Sequence, residues 1–283
     1  MPPRQAPTAR QRRLGTELRK LRERAGMTAP EAAAELNTNR TGISNLEAGR
    51  FGVSAERVRV LARIYHYPDE QHIDALADMA DERGKGWWEE YRGALSTGAL
   101  DVAELEYHAK ALRTTHIMHV PGLLQTEEYA KVVLATDVPW PNPQELRRRL
   151  SFRMRRRDVL DRTDAPHCTF MVHESALRIE LGGAKVARGQ LEHLLDASER
   201  DNITIRVIPF SAGAFPNVGI STVYAAGPVP RLDTVHLEVP HGSSLIDSET
   251  HLVNYRVIMD YIEGITLSPS ETRDLMRSLA HQL

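Results

Sequence analysis

Residues 28–50 read TAPEAAAELNTNRTGISNLEAGR. The pattern is two short helices joined by a polar turn. Thr28 caps the first, with Glu31 three residues on as its capping-box partner. Pro30 falls in the first turn, where its missing N–H costs nothing. Leu36 ends that helix and Asn39 caps the next. Ile43 and Leu46, three apart, give the second helix an inward face, and Gly49 supplies its stop. Its outward residues are Arg40, Thr41, Ser44 and Asn45, side chains that hydrogen-bond base edges and phosphates. The stretch reads as a helix-turn-helix whose second helix enters a major groove.

The flanks extend the unit. Leu14, Leu18, Leu21 and Ala25 stripe an amphipathic helix stopped at Gly26. Ser54 caps a helix carrying Val58, Leu61, Ala62 and Tyr65 on one face. Residues 10–67 are therefore expected to form a compact all-α unit of four to five helices. Arg22 and Glu47 are candidates for a buried ion pair across its first and third helices. This spacing resembles the phage-repressor-like, XRE-type family, in which that pair recurs. Ala29 stands where the family often has Gln, and Thr38 where it usually has an aliphatic residue. Gly42 lies inside the recognition helix, at a cost of about 1 kcal/mol relative to Ala, and would allow close approach to the DNA backbone. The competing reading is a generic helical bundle.

Charge separates the chain into two parts. The 283 residues carry a net charge of −2. Residues 1–65 hold 12 Arg and 1 Lys against 6 Glu and no Asp, a net of +7, which leaves −9 for the remainder. A basic head on an acidic body is the asymmetry of a DNA-binding domain fused to another module. The first nine residues, MPPRQAPTA, are expected to be a disordered arm. Arg4 in it, with Arg10, Arg12 and Arg13, either reaches the duplex or is simply solvated. Cys168 is the one cysteine, so neither an intrachain disulfide nor a Cys-based zinc cluster is expected, which fits a reducing cytoplasm. No apolar run approaches 18 residues and the N-terminus has no apolar signal core, so no membrane association is expected.

Beyond the head, residues 69–83 and 101–113 read as helices, and 68–100 as a helical linker. WWEEYRGAL at 87–95 brings Trp87, Trp88 and Tyr91 together. Thr126 caps a helix after Pro121-Gly122, and 144–162 reads as a long Arg-rich helix. After Pro166 strands enter: CTFMVHESAL (168–177) leading into a short helix, ITIRVIPF (203–210), GISTVYAA (219–226) and DTVHLEV (233–239). A helix over 182–200 falls among them, and helices over 249–264 and 268–282 close the chain. The body, 101–283, is thus expected to be an α+β regulatory or partner-binding domain with a small sheet.

WWEEY, LEYHA, VPGLLQTEEYA, the Arg-rich helix, HESALR with Gly182-Gly183, GQLEHLL and ITIRVIPF occur in this order. Together they resemble the actinobacterial WhiJ-like regulators, which join an XRE-type head to a C-terminal domain of unassigned chemistry. Relatives more often have a His near Phe215, which this chain lacks. The resemblance implies an antitoxin-like or developmental repressor and a small acidic partner protein encoded nearby.

An enzyme reading must name a site. The candidates are His167, Cys168, His173, Glu174, His236 and His241. Cys168 and His173 lie five apart in a strand and point to opposite faces. No second His follows His173-Glu174 at metalloprotease spacing, and no nucleophile-elbow or phosphate-loop pattern is present. No catalytic residue, metal site or cofactor is expected. Trp87, Trp88 and Tyr91 read as a hydrophobic hub or a ligand-pocket wall, with the 120–130 segment a rigid turn or a pocket lip. The arginines of 147–157, including Arg148, Arg149, Arg153 and Arg156, read as a solvated face, a docking surface for an anionic partner, or a second DNA contact.

The expected function is a sequence-specific repressor, a homodimer on a palindromic double-stranded operator. Arg40, Thr41, Ser44 and Asn45 read bases; Thr28, Arg50, Arg12 and Arg13 hold phosphates. The small acidic protein modulates DNA binding. The alternative is a small-molecule-responsive repressor with its pocket in the body.

Overall fold

The computed structural model describes residues 6–82, 86–239 and 242–283. It divides into two compact units, Met1–Glu89 and Glu90–Leu283.

The first unit is helical: α1 Ala9–Arg24, α2 Ala29–Glu35, α3 Arg40–Glu47, α4 Ala55–Ile64 and α5 Glu70–Asp81. Side-chain caps start each helix. Thr8 and Thr28 form full capping boxes with Gln11 and Glu31, and Asn39, Ser54 and Asp69 accept from the third N–H that follows. Leu14, Leu18 and Leu21 of α1 meet Ala32, Ala33, Ile43 and Leu46 in the core, with Val58, Leu61 and Leu76 from α4 and α5. α1 also crosses the end of α3 at close range. A Cβ on Gly49, whose φ is +69°, would lie 2.6 Å from the Gln11 carbonyl oxygen, so both backbone sign and space require glycine there. The expected arm is shorter than nine residues, because Thr8 caps α1 and places Arg10, Arg12 and Arg13 on the helix. Arg4 lies outside the described residues. The expected linker 68–100 is also divided: α5 packs on α4 and α1 inside the first unit, and the unit boundary follows Glu89.

The second unit is an α+β body around one six-stranded sheet, β3-β2-β1-β4-β5-β6. The strands are β1 Ala111–His116, β2 His167–His173, β3 Ile203–Ile208, β4 Thr222–Ala226, β5 Thr234–Val239 and β6 Gly242–Ile246. β1, β2 and β3 run parallel; β4, β5 and β6 are antiparallel additions on the other side of β1. The helices are α6 Thr97–His108, α7 Glu127–Ala135, α8 Pro143–Arg156, α9 Glu174–Arg178, α10 Ala184–Ala197, α11 Glu249–Gly264 and α12 Pro269–Gln282. Parallel strands need helical crossovers, and α7–α8 and α9–α10 supply them.

Alternation along the strands divides two cores. Leu112, Cys168, Phe170, Val172, Ile203, Ile205 and Val207 pack with α7, α10 and α12. Met171, Ile208, Tyr224 and Val235 pack with Leu252, Met259 and Ile262 of α11. At the β3 edge the Val207 N–H donates to Thr272 Oγ1 at 3.0 Å, and the Leu267 N–H donates to the Val207 carbonyl at 2.8 Å.

Three elements differ from the sequence reading. The helix expected over 101–113 stops at His108, where Ala109 turns extended, and Ala111–His116 becomes the central strand. The long Arg-rich helix ends at Arg156 and continues as a 3-10 turn over Arg157–Asp161. A sixth strand, Gly242–Ile246, joins the sheet edge.

Candidate nucleic-acid interface

The face of α3 is set by its inward anchors. Ile43 is 1% and Leu46 8% exposed, and the helix steps about 100° per residue. Arg40, Thr41, Ser44 and Asn45 therefore share an outward arc of roughly 140°. Arg40, Thr41 and Ser44 are exposed, and Asn45 is half-buried. Arg50 Nη1 donates to Asn45 Oδ1 at 3.5 Å, so the phosphate candidate and one base-reading candidate are adjacent. Arg12 is near this end of α3 as well: its backbone nitrogen is 2.9 Å from where a Gly49 Cβ would stand.

The two departures of the turn explain each other. A Cβ on Gly42 would meet Thr38 Oγ1 at 2.8 Å, and the Gly42 N–H donates to Asn39 Oδ1 at 2.8 Å. Gly42 makes room for the side chains of the turn.

The helix is held by Arg22. Its guanidinium donates to Glu47 through Nε at 2.5 Å and Nη2 at 2.9 Å, and to the Met27 carbonyl through Nη1 at 2.7 Å. Both side chains of the pair are only 9% exposed. The Glu47 carboxylate holds Arg22 above its usual range, while burial works against it. One fork thus ties α1, the α1–α2 turn and the end of α3 together.

Other phosphate candidates are engaged within the head. The Thr28 hydroxyl donates to Glu31 Oε2 at 2.7 Å, which sets a carboxylate beside it. Arg13 donates to Glu17 at 3.0 Å and is 10% exposed. Arg12 is exposed and donates to the Pro7 carbonyl at 2.7 Å. Arg40, Arg50 and Arg12 are exposed cations of the head.

The partner-surface candidates are divided between the two units. Trp87 and Trp88 pack edge-to-face in the first unit, with Trp88 3% exposed. Tyr91 belongs to the second unit, where it packs edge-on against Phe152 and its hydroxyl meets Ser151 Oγ at 3.0 Å. On α8, Arg149 pairs with Asp137 and Glu145, Arg155 with Glu90, and Arg156 with Glu106 through two bonds of 2.9 and 2.5 Å. Arg153 turns inward and donates to Gln125 Oε1 at 2.8 Å. Arg147 and Arg148 are exposed. Most of these guanidiniums are drawn to partners far away in sequence.

VPGLLQTEEYA is a self-bonded turn. The Val120 N–H donates to the Tyr129 hydroxyl, Gln125 Nε2 donates to the Val120 carbonyl, and the Thr126 N–H donates to Gln190 Oε1. Gln125 thereby orients Arg153, a role the sequence reading did not assign, although the residue lay in the quoted motif.

Of the residues weighed for chemistry, His173, Glu174 and Cys168 have structural partners. His173 Nδ1 caps α9 by accepting the Ser175 N–H, and Glu174 accepts from the Phe210 N–H and pairs with Arg178. The Cys168 thiol is 2% exposed and burial pushes it up to about 12. His241 lies outside the described residues. Among the described residues no cluster of three or more His, Cys, Asp or Glu is placed to hold a metal ion, and no helix is long and apolar enough to cross a membrane.

Comparison with known proteins follows this division. The family described as "Helix-turn-helix domain" matches residues 13–76, the span from α1 into α5. The family described as "Domain of unknown function (DUF5753)" matches residues 99–278, from α6 into α12. No curated protein and no solved structure matches the chain. The chain belongs to the DUF5753 family, carried behind a helix-turn-helix head that makes it a DNA-binding regulator.

Proposed function

We propose that the protein is a sequence-specific transcriptional repressor that binds a palindromic operator as a homodimer. The observation that carries this reading is the outward polar arc Arg40–Thr41–Ser44–Asn45, exposed but for the half-buried Asn45, on a helix whose other side is locked by Ile43, Leu46 and the Arg22–Glu47 fork. Those side chains offer bidentate and single hydrogen bonds to base edges, and Arg50 and Arg12 flank them for phosphates. Two-fold pairing onto half-sites about 34 Å apart supplies the specificity that one short helix lacks.

The XRE-type pattern of the head and the WhiJ-like order of motifs support an antitoxin-like, actinobacterial regulator working in the cytoplasm on the nucleoid. In that reading the second unit takes a small acidic partner, with the exposed Arg147 and Arg148 as its cationic contacts. The role assigned to the second unit is binding rather than catalysis.

Selection of bound sequences from a randomised duplex pool with the full chain tests the reading. Enrichment of a two-fold symmetric site is expected, with Arg40→Ala weakening it by about 1–3 kcal/mol and relaxing one base position. An unenriched pool, or an Arg40→Ala protein with unchanged sequence preference, overturns it.

A further inference from the structure

The face of the sheet that carries Leu112 changes character along its width. Leu112 pairs with Cys168 and Ala225, and Cys168 with Ile203, all apolar. Two residues further along β1 the row runs from Thr114 through Val223 to His236. His116 follows on the same face of β1, and Glu238 on the same face of β5, because side chains alternate along a strand. From the helices come Arg153, Arg156 and Glu106: the two arginines and His236 act electrostatically on His116, and Arg156 acts on His236. His116 and His119 lie at and just beyond the carboxyl end of β1. That is the strand at which the order turns, with β2 on one side and β4 on the other.

Among the described residues, two buried polar atoms here have no hydrogen-bond partner: Thr114 Oγ1 and His236 Nε2. Their residues are 3% and 8% exposed. An unsatisfied buried polar group is costly, so two in one row of one sheet face need an explanation.

Charge points the same way. The Glu106 carboxylate is used by Arg156 through both of its oxygens, and Asp137 is bound by Arg149. Among the described residues Arg153 donates to one acceptor, the neutral Gln125 amide oxygen. Burial, with Arg156 nearby, pushes it down to about 10. Burial also pushes His116 down to about 3 and His236 to about 4, so both imidazoles are neutral at pH 7. Glu238 is the remaining carboxylate in range, and it is exposed. The cluster is therefore a donor-rich patch with one under-compensated cation. It is not sealed: His116 and Arg153 are half-buried and His119 is exposed.

We propose that this cluster binds the oxyanion head, phosphate or carboxylate, of a small molecule, with Arg153 as its charge partner and His236 Nε2 and Thr114 Oγ1 as its hydrogen-bond partners. Gln125 is the positioning residue that aims Arg153. The binding does not depend on whether the head recognises DNA.

The test uses the full chain, with inorganic phosphate and succinate as separate probes. Saturable binding of at least one, read by calorimetry, is expected, and which one saturates distinguishes the two heads. Arg153→Gln should weaken it at least tenfold, while Arg188→Gln, an exposed arginine of α10, leaves it unchanged. The His236 ring nitrogen resonances of the unsubstituted protein should shift on titration, a readout that survives if Arg153→Gln does not fold. No saturable binding of either probe, equal losses in the two variants, or unmoved His236 resonances overturns the proposal.

Discussion

The Arg22 guanidinium and the Glu47 carboxylate meet through two parallel hydrogen bonds with both side chains nine-tenths buried. Removing one partner strands the other's charge away from water. Glu47→Ala is expected to destabilise the head by about 3 kcal/mol. Hydrogen exchange should show faster amides in α1 and α3, with the sheet amides of the second unit unchanged. Equal protection in the two proteins would show that the fork adds nothing.

Thr38 and Gly42 share one space, which makes their substitutions interdependent. Gly42→Ala alone gains helix propensity, about 1 kcal/mol, but drives a methyl against Thr38 Oγ1. In a Thr38→Ala background the same change should show its full gain. A double-mutant cycle by denaturant unfolding is expected to give a favourable coupling of about 0.5–1 kcal/mol. Strict additivity would contradict the shared space.

His236 sets an acid limit on the second unit. Its pKa falls from 6.5 to about 4 on folding, through burial and the nearby Arg156. Between those values the unfolded chain binds more protons than the folded one, so stability falls as pH drops from 6.5 towards 4 and is fully recovered above 6.5. His236→Gln should flatten this slope in melting temperatures recorded across the window, removing an acid loss on the order of 3 kcal/mol. His116, held down at about 3, adds a second contribution of the same sign.

Cys168 should be inert in the folded protein. It is buried on β2, its thiol donates to the Pro166 carbonyl at 3.5 Å, and burial favours its protonated form. A thiol-reactive dye should label it only as fast as the second unit opens, with one equivalent taken up in denaturant. Rapid labelling under native conditions would contradict the placement.

Asp233 holds the β4–β5 junction to α11. It accepts from the Tyr224 hydroxyl, from the Gly227 N–H at 2.9 Å and from Arg256 at 3.1 Å. Asp233→Ala leaves Arg256 and the buried Tyr224 hydroxyl without that carboxylate. It should cost about 3 kcal/mol in unfolding of the second unit, and Asp233→Asn less.

The head was readable because its signals are local. Caps, a leucine stripe and glycine stops each act within a few residues, and the Arg22–Glu47 spacing belongs to the same pattern. The body's failures have a common cause in distance. Leu105, Ala109 and Leu112 mimic a helical stripe, yet Ala109 turns extended and Leu112 alternates with Thr114 in the central strand. The adjacent Thr114-Thr115 pair, β-branched, was the local hint. β6 is a short edge strand of small polar residues and carries little pattern. The partners of the α8 arginines could not be read because Gln125, Glu106 and Glu90 lie 28, 50 and 65 residues upstream. The polar cluster needs β1, β5 and two helices to exist, so no single window of sequence shows it.

The central strand has a consequence for how the chain is made. β1 pairs with β4 across more than a hundred residues, Ala111 with Ala226, whereas the head closes α1 onto the end of α5 across 72, Arg10 with Glu82. Loop closure of that length slows folding, and vectorial synthesis delivers the head first. A nascent chain therefore has its helix-turn-helix formed while the sheet still lacks half its strands. Any control the second unit exerts over DNA binding begins only after synthesis passes β4.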